Sequence, residues 1–276
     1  MSHHHHPNRQ QITAPLLRRD SIGDAYHVLT FDLPEGPEIH PGQFVMVRGT
    51  EWGQAPLLPR PMSYLSGGPR PSLLVKVVGE GTVRMGRAEP GELFTLLGPS
   101  GTPWRAPDPS KRQVFVAGGV GVAPLLFLAR TYASPERRPL FIYGGRTAKD
   151  LPLHEDVASL CDLQITTEDG SLGTQGRVTA LLPDLLKDGV EVFTCGPERM
   201  MAAVAGLAAQ AGVPCEASLE APMACGFGVC LGCPVPTVEG GYLYTCTEGP
   251  CVNAARIDWE RAAHRPGAPS ANGRSK

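Results

Sequence analysis

Residues 225–233 read Cys225-Gly226-Phe227-Gly228-Val229-Cys230-Leu231-Gly232-Cys233, and Cys246 follows after twelve further residues. This C-x4-C-x2-C spacing with a distant fourth cysteine is typical of [2Fe–2S] sites, in which four thiolates hold two irons. Zinc also accepts four thiolates, but its sites usually pair two short knuckles. We therefore predict Cys225, Cys230, Cys233 and Cys246 as ligands of a [2Fe–2S] cluster, with zinc or buried free thiols as alternatives. Cys251 lies close enough to replace Cys246 as a ligand.

Composition limits the class of protein. The chain has 276 residues, enough for two ordinary domains or three small ones, and its 25 Lys+Arg balance 27 Asp+Glu. Such a balance predicts no general attraction to nucleic acid or anionic membrane. No apolar run approaches the roughly 20 residues that span a bilayer, and no signal peptide is evident. Eight cysteines in a chain of this length favour a reducing cytoplasm. The His3–His6 tract is either a tag remnant or a natural metal-binding tract.

Two rhythms of apolar runs predict an α+β multidomain fold. Short runs at residues 27–31, 44–47, 73–78 and 93–97, separated by Pro/Gly turns, indicate an antiparallel β-barrel over residues 8–103. Runs at 113–117, 140–143, 163–166 and 191–194 alternate with helical segments, the clearest at 198–211. They indicate an α/β domain with a parallel sheet over residues 104–214. A small cluster domain at 215–262 and a solvated tail at 263–276 complete the predicted order, and residues 101–109 read as a linker.

Two segments of the predicted barrel suit a flavin dinucleotide. Arg60-Pro61-Met62-Ser63 begins a predicted strand, and Gly79-Glu80-Gly81-Thr82 follows the next one. An arginine offers a fork of donors to a pyrophosphate. Gly79, Gly81 and Thr82 offer backbone N–H groups and a hydroxyl to the same anion. Ser63 could supply the hydroxyl near the reactive nitrogen of the flavin ring. An ordinary surface loop is the alternative for each segment taken alone.

The α/β segment carries a second dinucleotide signal. Residues 118–124 read Gly118-Gly119-Val120-Gly121-Val122-Ala123-Pro124, between a strand and a helix. Glycines there admit a pyrophosphate, and the helix N-terminus stabilises its charge. We predict Gly118, Gly119 and Gly121 at a nicotinamide dinucleotide site, with a ligand-free turn as the alternative. Cys195, in Cys195-Gly196-Pro197 at the end of a strand, could touch the nicotinamide or be a small buried apolar residue.

The order of these motifs resembles the ferredoxin–NADP reductase-like flavoproteins. The cysteine segment, with Tyr244-Thr245-Cys246-Thr247-Glu248-Gly249-Pro250, is similar to the electron-transfer subunits of class 1B dihydroorotate dehydrogenases. The resemblance spans roughly residues 10–260 and implies FAD, NAD and [2Fe–2S] cofactors. It also implies a role near the dinucleotide for the loop Asp169-Gly170-Ser171. Cys251, Met62 and Tyr64 depart from the family pattern, which bears on the fourth ligand and on flavin packing.

The resemblance implies an electron-transfer enzyme subunit that works with a partner. NADH and FAD would exchange a hydride, and the cluster would pass single electrons to or from a subunit containing FMN that oxidises dihydroorotate to orotate in pyrimidine biosynthesis. It implies a heterotetramer. Alternatives are the small subunit of a ferredoxin:NADP oxidoreductase, sulfide dehydrogenase or hydrogenase, an iron–sulfur redox sensor, and a zinc-stapled structural protein. Arg146 could receive the 2′-phosphate of NADP, although the sequence favours NAD.

Overall fold

The N-terminal part of the chain forms a closed barrel. The computed structural model describes residues 9–264, so the His3–His6 tract and residues 265–276 of the predicted tail lie outside it. The barrel strands are β1 (Gln10–Ile22), β2 (Tyr26–Phe31), β3 (Phe44–Gly49), β4 (Arg60–Ser66), β5 (Ser72–Lys76) and β6 (Leu93–Ser100). Every neighbouring pair in the order β1-β2-β5-β4-β3-β6 is antiparallel, and helix α1 (Glu80–Arg87) lies between β5 and β6. The predicted antiparallel barrel is confirmed.

Aromatic and branched side chains fill the barrel interior. Phe94 lies edge-on to Phe31 and to Trp52, with ring centroids 5.5 Å and 6.1 Å apart. Leu29 and Val47 belong to the same buried cluster. Each such side chain contributes about 1.5–3 kcal/mol when it leaves water. This packed interior therefore holds β4 and α1, and the residues that they carry at the rim of the barrel, in fixed positions.

The remaining strands form a large, mainly parallel sheet and a small hairpin. They are β7 (Arg112–Gly118), β8 (Leu140–Gly145), β9 (Asp162–Thr167), β10 (Thr174–Gln175), β11 (Val190–Cys195), β12 (Cys215–Ser218), β13 (Pro234–Pro236), β14 (Tyr242–Tyr244) and β15 (Cys251–Asn253). The sheet has the order β10-β9-β8-β7-β11-β12-β15, and only β15 runs antiparallel to its neighbour. The hairpin pairs β13 with β14. This confirms the predicted parallel-sheet domain.

Helices cover the sheet and hold the C-terminal segment. They are α2 (Val122–Tyr132), α3 (His154–Leu160), α4 (Glu198–Gln210), α5 (Thr245–Glu248) and α6 (Trp259–Ala262). Helix α4 confirms the helix predicted at 198–211, with Met201 and Val204 buried. Met201 also packs with Val235 and Leu243 of the hairpin. None of the helices within residues 9–264 has the length and apolar character needed to cross a membrane.

The predicted cluster domain, residues 215–262, contributes two strands to the large sheet. Strand β12 pairs with β11, and β15 returns to pair with β12, with Ser218 opposite Cys251. The boundary that we predicted before residue 215 therefore precedes two strands of this sheet. The cysteine loop (residues 225–233), the hairpin and α5 all lie between those two strands in the chain. The segment is consequently anchored at both ends.

The predicted linker is docked against the sheet. Arg105 approaches Glu191 and Glu216, with N···O distances of 2.6 Å and 3.1 Å, and both carboxylates are almost fully buried. The guanidinium also lies 4.8 Å from the centroid of the Phe193 ring. Trp104 meets the same ring edge-on at 5.7 Å. The barrel and the sheet are thus joined by a segment that is itself packed.

Candidate functional site

The cysteine loop is pressed against the barrel. Cys225 Sγ accepts hydrogen bonds from the backbone N–H groups of Phe227 and Cys230, each at 3.5 Å. Gly226 has φ +76°, and a Cβ there would lie 2.3 Å from Met46 Cγ. A side chain at this position would strain the backbone and collide with the barrel. The close approach of Gly226 holds the loop against β3, and the hydrogen bond from the Cys230 N–H keeps Cys225 and Cys230 next to each other.

The other two cysteines form a second pair. Cys233 and Cys246 are buried, and their Sγ atoms lie 3.3 Å apart. They pack with Phe44 and Met46 of β3. The hydrogen bond from Cys246 lowers the pKa of Cys233 to about 6, while that same interaction raises the pKa of Cys246. One thiolate therefore forms readily, and a second requires a cation close by.

Backbone donors also favour a thiolate in the first pair. Burial raises the pKa of Cys225, but hydrogen bonds from the backbone N–H groups of Cys230 and Phe227 outweigh it and lower the pKa to about 7. A coordinating thiol must be deprotonated, so this local structure prepares a metal ligand. The chemistry of the donors suits iron or zinc equally. Their arrangement separates the two metals.

The pairing of the thiols fits a two-iron cluster. Two irons held by four thiolates take two each, and the structure pairs Cys225 with Cys230 and Cys233 with Cys246 of α5. A zinc ion needs four ligands around one point. Within residues 9–264, no three His, Cys, Asp or Glu side chains converge on a single position. Cys251 belongs to a different buried cluster, which also contains Cys195. Its Sγ lies 3.7 Å from the Gly42 carbonyl.

An arginine that the sequence did not single out faces the cysteines. Arg9 precedes β1, and its Nε donates to Ser100 Oγ at 3.0 Å. Burial lowers the pKa of Arg9, and the charges of Cys246 and Cys225 act in the opposite direction. The guanidinium therefore lies within electrostatic reach of both thiol pairs. No spacing rule would have identified it, because it is 216 residues before Cys225 in the chain.

The predicted flavin residues meet at the rim of the barrel. A Cβ on Gly81 would lie 2.7 Å from Arg60 Nε, so the guanidinium rests on the first turn of α1. Thr82 Oγ1 accepts from the N–H groups of Val78 and Gly79 and donates to the Gly79 carbonyl, at 2.9–3.0 Å. Thr82 therefore shapes this turn. The sequence predicted a phosphate-binding segment here but not that helix α1 begins within it, at Glu80.

Strand β4 divides its residues between two faces. Met62 packs toward the barrel core. Ser63, opposite Phe44 on β3, lies on the other face together with Leu65, because side chains alternate along a strand. Leu65 packs with residues of α2 and with Trp104, between the barrel and the sheet. Ser63 thus lies on the barrel face that is turned toward the sheet, and Pro61 precedes it opposite Met46.

Glycines let the turn after β7 pack against the end of β11. Gly119 has φ +55°, a left-handed conformation that favours glycine. A Cβ on Gly121 would lie 2.2 Å from the Cys195 carbonyl oxygen, and one on Gly118 would lie 2.7 Å from Pro197 Cδ. The two motifs, 118–124 and 195–197, are therefore in direct contact. Their glycines serve this packing as well as any ligand.

A buried tyrosine on the neighbouring strand β8 holds the Gly119–Gly121 turn in place. The hydroxyl of Tyr143, at the end of β8, lies 2.8 Å from the Gly119 carbonyl and 3.0 Å from the Pro152 carbonyl. Burial raises the pKa of Tyr143 well above its ordinary value, so the hydroxyl stays protonated as a donor. From the sequence, Tyr143 was predicted only as part of the strand at 140–143. Its role depends on a contact between neighbouring strands.

A cavity of about 540 Å³ opens at the carboxyl ends of the parallel strands. Ligands in open α/β sheets bind at this edge. Gly118 and Gly119 line it with Pro197. Its charged wall contains the following residues: Lys76, Arg146, Arg177, Arg199, Asp150, Glu168 and Glu198. Of these, only Arg146 was a candidate from the sequence.

Two predicted residues contribute to the structure around this cavity. Cys195 is 2% exposed, and burial raises its pKa, so it stays a neutral thiol in the core beneath the turn. Asp169 accepts from the N–H and the hydroxyl of Ser171, at 3.0 Å and 2.6 Å. Ser171 Oγ in turn accepts from the Ala148 N–H at 2.8 Å. Asp169 thus shapes the loop beside the cavity, and Glu168 next to it lines the wall.

The sequence matches two family models in the order that the fold requires. Residues 115–206 match an oxidoreductase NAD-binding domain, and residues 220–258 match the iron–sulfur cluster binding domain of dihydroorotate dehydrogenase B. The second match contains all four paired cysteines. The first contains the glycine turn and Cys195.

Curated relatives extend the match over most of the chain. The chain is 34% identical to the dihydroorotate dehydrogenase B (NAD(+)) electron transfer subunit of Desulforamulus reducens, covering 85% of this chain and 93% of the relative. It is 33% identical to that of Caldanaerobacter subterraneus subsp. tengcongensis, covering 90% and 99%. A solved structure of an NADH-dependent reduced ferredoxin-NADP oxidoreductase, described in work on flavin-based electron bifurcation, superposes with a TM-score of 0.79 at 26% identity. It covers 91% of this chain and 92% of its own.

Proposed function

Since the chain belongs to the family of electron transfer subunits of dihydroorotate dehydrogenase B, we propose that it links NAD to a partner flavin subunit that oxidises dihydroorotate to orotate. It is an oxidoreductase subunit with FAD, a [2Fe–2S] cluster and NAD as cofactors. The observation that carries the proposal is the pairing of Cys225 with Cys230 and of Cys233 with Cys246 beside the barrel. Electrons would run from the partner toward NAD.

The rim of the barrel would hold FAD. Arg60 and the first turn of α1, with Gly79, Gly81 and Thr82, would bind the pyrophosphate through a guanidinium and backbone N–H groups. Ser63, on the face turned toward the sheet, would place a hydroxyl at the reactive edge of the ring. Pro61 and Met62 would complete the strand against which the flavin packs. Bound FAD exchanges a hydride with NAD and electrons singly with a one-electron carrier.

The cavity at the sheet edge would hold NAD. Gly118, Gly119 and Gly121 allow a close approach to the pyrophosphate at the start of α2. Lys76, at the end of β5, would add a positive charge from the barrel side. The carboxylate of Glu168 suits a ribose hydroxyl better than the 2′-phosphate of NADP. Cys195 and Asp169 would act through the backbone that they support.

Apolar side chains around the cysteines would meet the partner. Phe227, Val229 and Leu231 are exposed by 42%, 72% and 54%, although all are large and apolar. They lie between Cys225 and Cys233 in the chain, so a partner covering them would come close to the cluster ligands. Closeness is what single-electron transfer needs. Leu231 has φ +54°, a left-handed backbone conformation that is unfavourable for residues other than glycine.

A second candidate function keeps the cofactors and changes the partner. The likeness to the NADH-dependent ferredoxin-NADP oxidoreductase structure favours it, because that protein covers nearly the same length of chain. In this alternative, the cysteine loop would face another oxidoreductase subunit, and dihydroorotate would not be involved. The family membership favours the first candidate.

The test is an anaerobic absorption spectrum of the purified chain before and after NADH, followed by turnover. Flavin and broad iron–sulfur bands that both bleach are expected. The chain alone should not oxidise dihydroorotate, and adding the FMN-containing partner should produce NADH from dihydroorotate and NAD⁺. Turnover of dihydroorotate by the chain alone would refute the proposed division of labour. Activity with a ferredoxin partner but not with the FMN subunit would establish the second candidate.

A further inference from the structure

The position of Arg9 is fixed by the barrel. Gln10, the first residue of β1, lies opposite Gly98 on β6, and Arg9 Nε donates to Ser100 Oγ, two residues further along β6. Ser100 is fully buried and lies opposite Phe44 on β3. Phe44 packs with Cys233 and Cys246. This chain of contacts holds the guanidinium at the side of the cysteine loop.

One nitrogen of this guanidinium has no acceptor. Within residues 9–264, Arg9 Nη2 is buried and makes no hydrogen bond. A buried donor without a partner costs free energy, more when it is charged. Cys246 and Cys225, one from each thiol pair, act electrostatically on this guanidinium. The unsatisfied donor is therefore buried on the side of the barrel that packs against Cys233 and Cys246, and a sulfur acceptor held by the thiols would satisfy it.

We propose that Arg9 donates a hydrogen bond from Nη2 to a sulfur of the [2Fe–2S] cluster and raises its reduction potential. Arg9 is a positioning and tuning residue rather than a ligand, and its role rests on the proposed cluster site. Reduction adds one negative charge to the cluster, and a fixed positive charge beside it stabilises that state. Hydrogen bonds to the sulfurs act in the same direction. Nothing in the sequence pattern assigns this role to a residue before β1.

The experiment is an anaerobic redox titration of the full chain, loaded with FAD and cluster, followed by electron paramagnetic resonance. Arg9→Gln should lower the midpoint potential. We expect the ratio of reduced to oxidised cluster at a fixed potential to fall about tenfold, which is about 59 mV for one electron. Arg9→Lys keeps the charge and should lie between Arg9→Gln and the unchanged protein. Arg18→Gln removes an arginine of β1 whose side chain is 67% exposed and should leave the midpoint unchanged.

A second readout tests the hydrogen bond itself. The unchanged protein should show one proton coupling to the reduced cluster that disappears on transfer to D2O and that Arg9→Gln lacks, while couplings from the backbone N–H groups of Phe227 and Cys230 remain in both proteins. Equal midpoints for the unchanged protein and Arg9→Gln at equal iron content would overturn the proposal. So would an equal shift in Arg18→Gln. If Arg9→Gln loses iron, the midpoint of Arg9→Lys is compared instead, and a value equal to that of the unchanged protein would overturn the proposal. Absence of a [2Fe–2S] signal from the unchanged protein would instead refute the proposed function.

Discussion

Lys76 of the barrel and Asp150 of the sheet domain form an ion pair at the mouth of the cavity, with Nζ and Oδ1 3.2 Å apart. The hydroxyl of Tyr26 lies 3.4 Å from the same oxygen. Burial lowers the pKa of Lys76, but hydrogen bonds and charge from Tyr26 and Asp150 outweigh it and raise the pKa. Lys76 is therefore a fixed cation beside the Gly119–Gly121 turn, which β5 contacts.

Replacing Lys76 should weaken dinucleotide binding. In Lys76→Gln, we expect affinity for NAD⁺ and for ADP-ribose to fall about tenfold or more, because a charged hydrogen bond to phosphate is lost. Calorimetric titration of the FAD- and cluster-loaded chain measures this. Lys149→Gln makes the same change on an exposed lysine outside this cavity and should bind normally. Equal losses for adenosine, which has no phosphate, would contradict a pyrophosphate contact.

A methyl group on Gly121 should separate the two motifs that it now lets touch. Gly121→Ala places Cβ within 2.2 Å of the Cys195 carbonyl oxygen. We expect a loss of about 1–3 kcal/mol in the free energy of unfolding, or more. NADH reduction of the flavin should slow, while the cluster absorption stays. Stopped-flow absorbance and urea unfolding report these changes.

Gly206 provides the matched control for that substitution. It lies on the exposed side of α4, and a Cβ there meets nothing within 4 Å. Gly206→Ala should increase the free energy of unfolding by about 0.5–1 kcal/mol, since alanine favours helix. If both variants behave alike, the close packing at Gly121 does not matter for function.

Cysteine substitutions should separate Cys246 from Cys251. Cys246→Ala removes one thiol of a pair and should abolish the cluster. Cys251→Ala should retain the iron–sulfur cluster, because Cys251 packs in the hydrophobic core together with Cys195. Iron and sulfide analysis with the absorption spectrum measures both. A Cys251→Ala protein without iron would restore Cys251 as a ligand.

His27 should make stability depend on mild acid. Burial and the charge of Arg19 lower the pKa of His27 from 6.5 in the folded state. The unfolded chain therefore binds a proton first, and stability falls as the pH drops through about 6.5. We therefore expect this group to make the protein less stable at pH 5.5 than at pH 7.5, measured by urea unfolding at the two pH values. His27→Gln should remove that part of the dependence. His40→Gln, on an exposed histidine, is the control.

A charge on the cysteine loop should prevent docking without removing the cluster. Val229→Asp places a carboxylate on a side chain that is 72% exposed, in the apolar surface of the loop. We expect binding to the FMN subunit to weaken at least tenfold, measured by size-exclusion chromatography or titration. Val238→Asp, at a valine that is 62% exposed on the hairpin, should bind normally. Equal binding by both variants would place the interface elsewhere.

The sequence predicted elements and motifs that depend on local spacing. The barrel strands, the helix at 198–211 and the glycine turn before α2 follow from apolar periodicity and from glycine placement. The four cysteines were found by spacing, although spacing could not show their pairing. The structure supplies it through the 3.3 Å contact of Cys233 with Cys246.

Residues that act through long-range contacts could not be predicted in this way. Arg9 meets Ser100 on the neighbouring strand β6, 91 residues away in the chain, and Lys76 of the barrel meets Asp150 of the sheet domain. Tyr143 supports Gly119 from a neighbouring strand. Each has an ordinary type and no recurring spacing, so only the fold gives it a partner. The placement of β12 and β15 in one sheet is of the same kind, since it pairs segments about 35 residues apart.

That sheet pairing has a consequence for how the chain can be divided. The cysteine loop leaves the sheet through β12 and returns to it through β15. Cutting the chain after residue 214 would remove two edge strands from the NAD-binding sheet and expose the side of β11 that ends at Cys195. A protein truncated in this way would lose one flank of the proposed NAD site. The iron–sulfur segment is therefore a structural part of the NAD-binding sheet and cannot be removed as a separate domain.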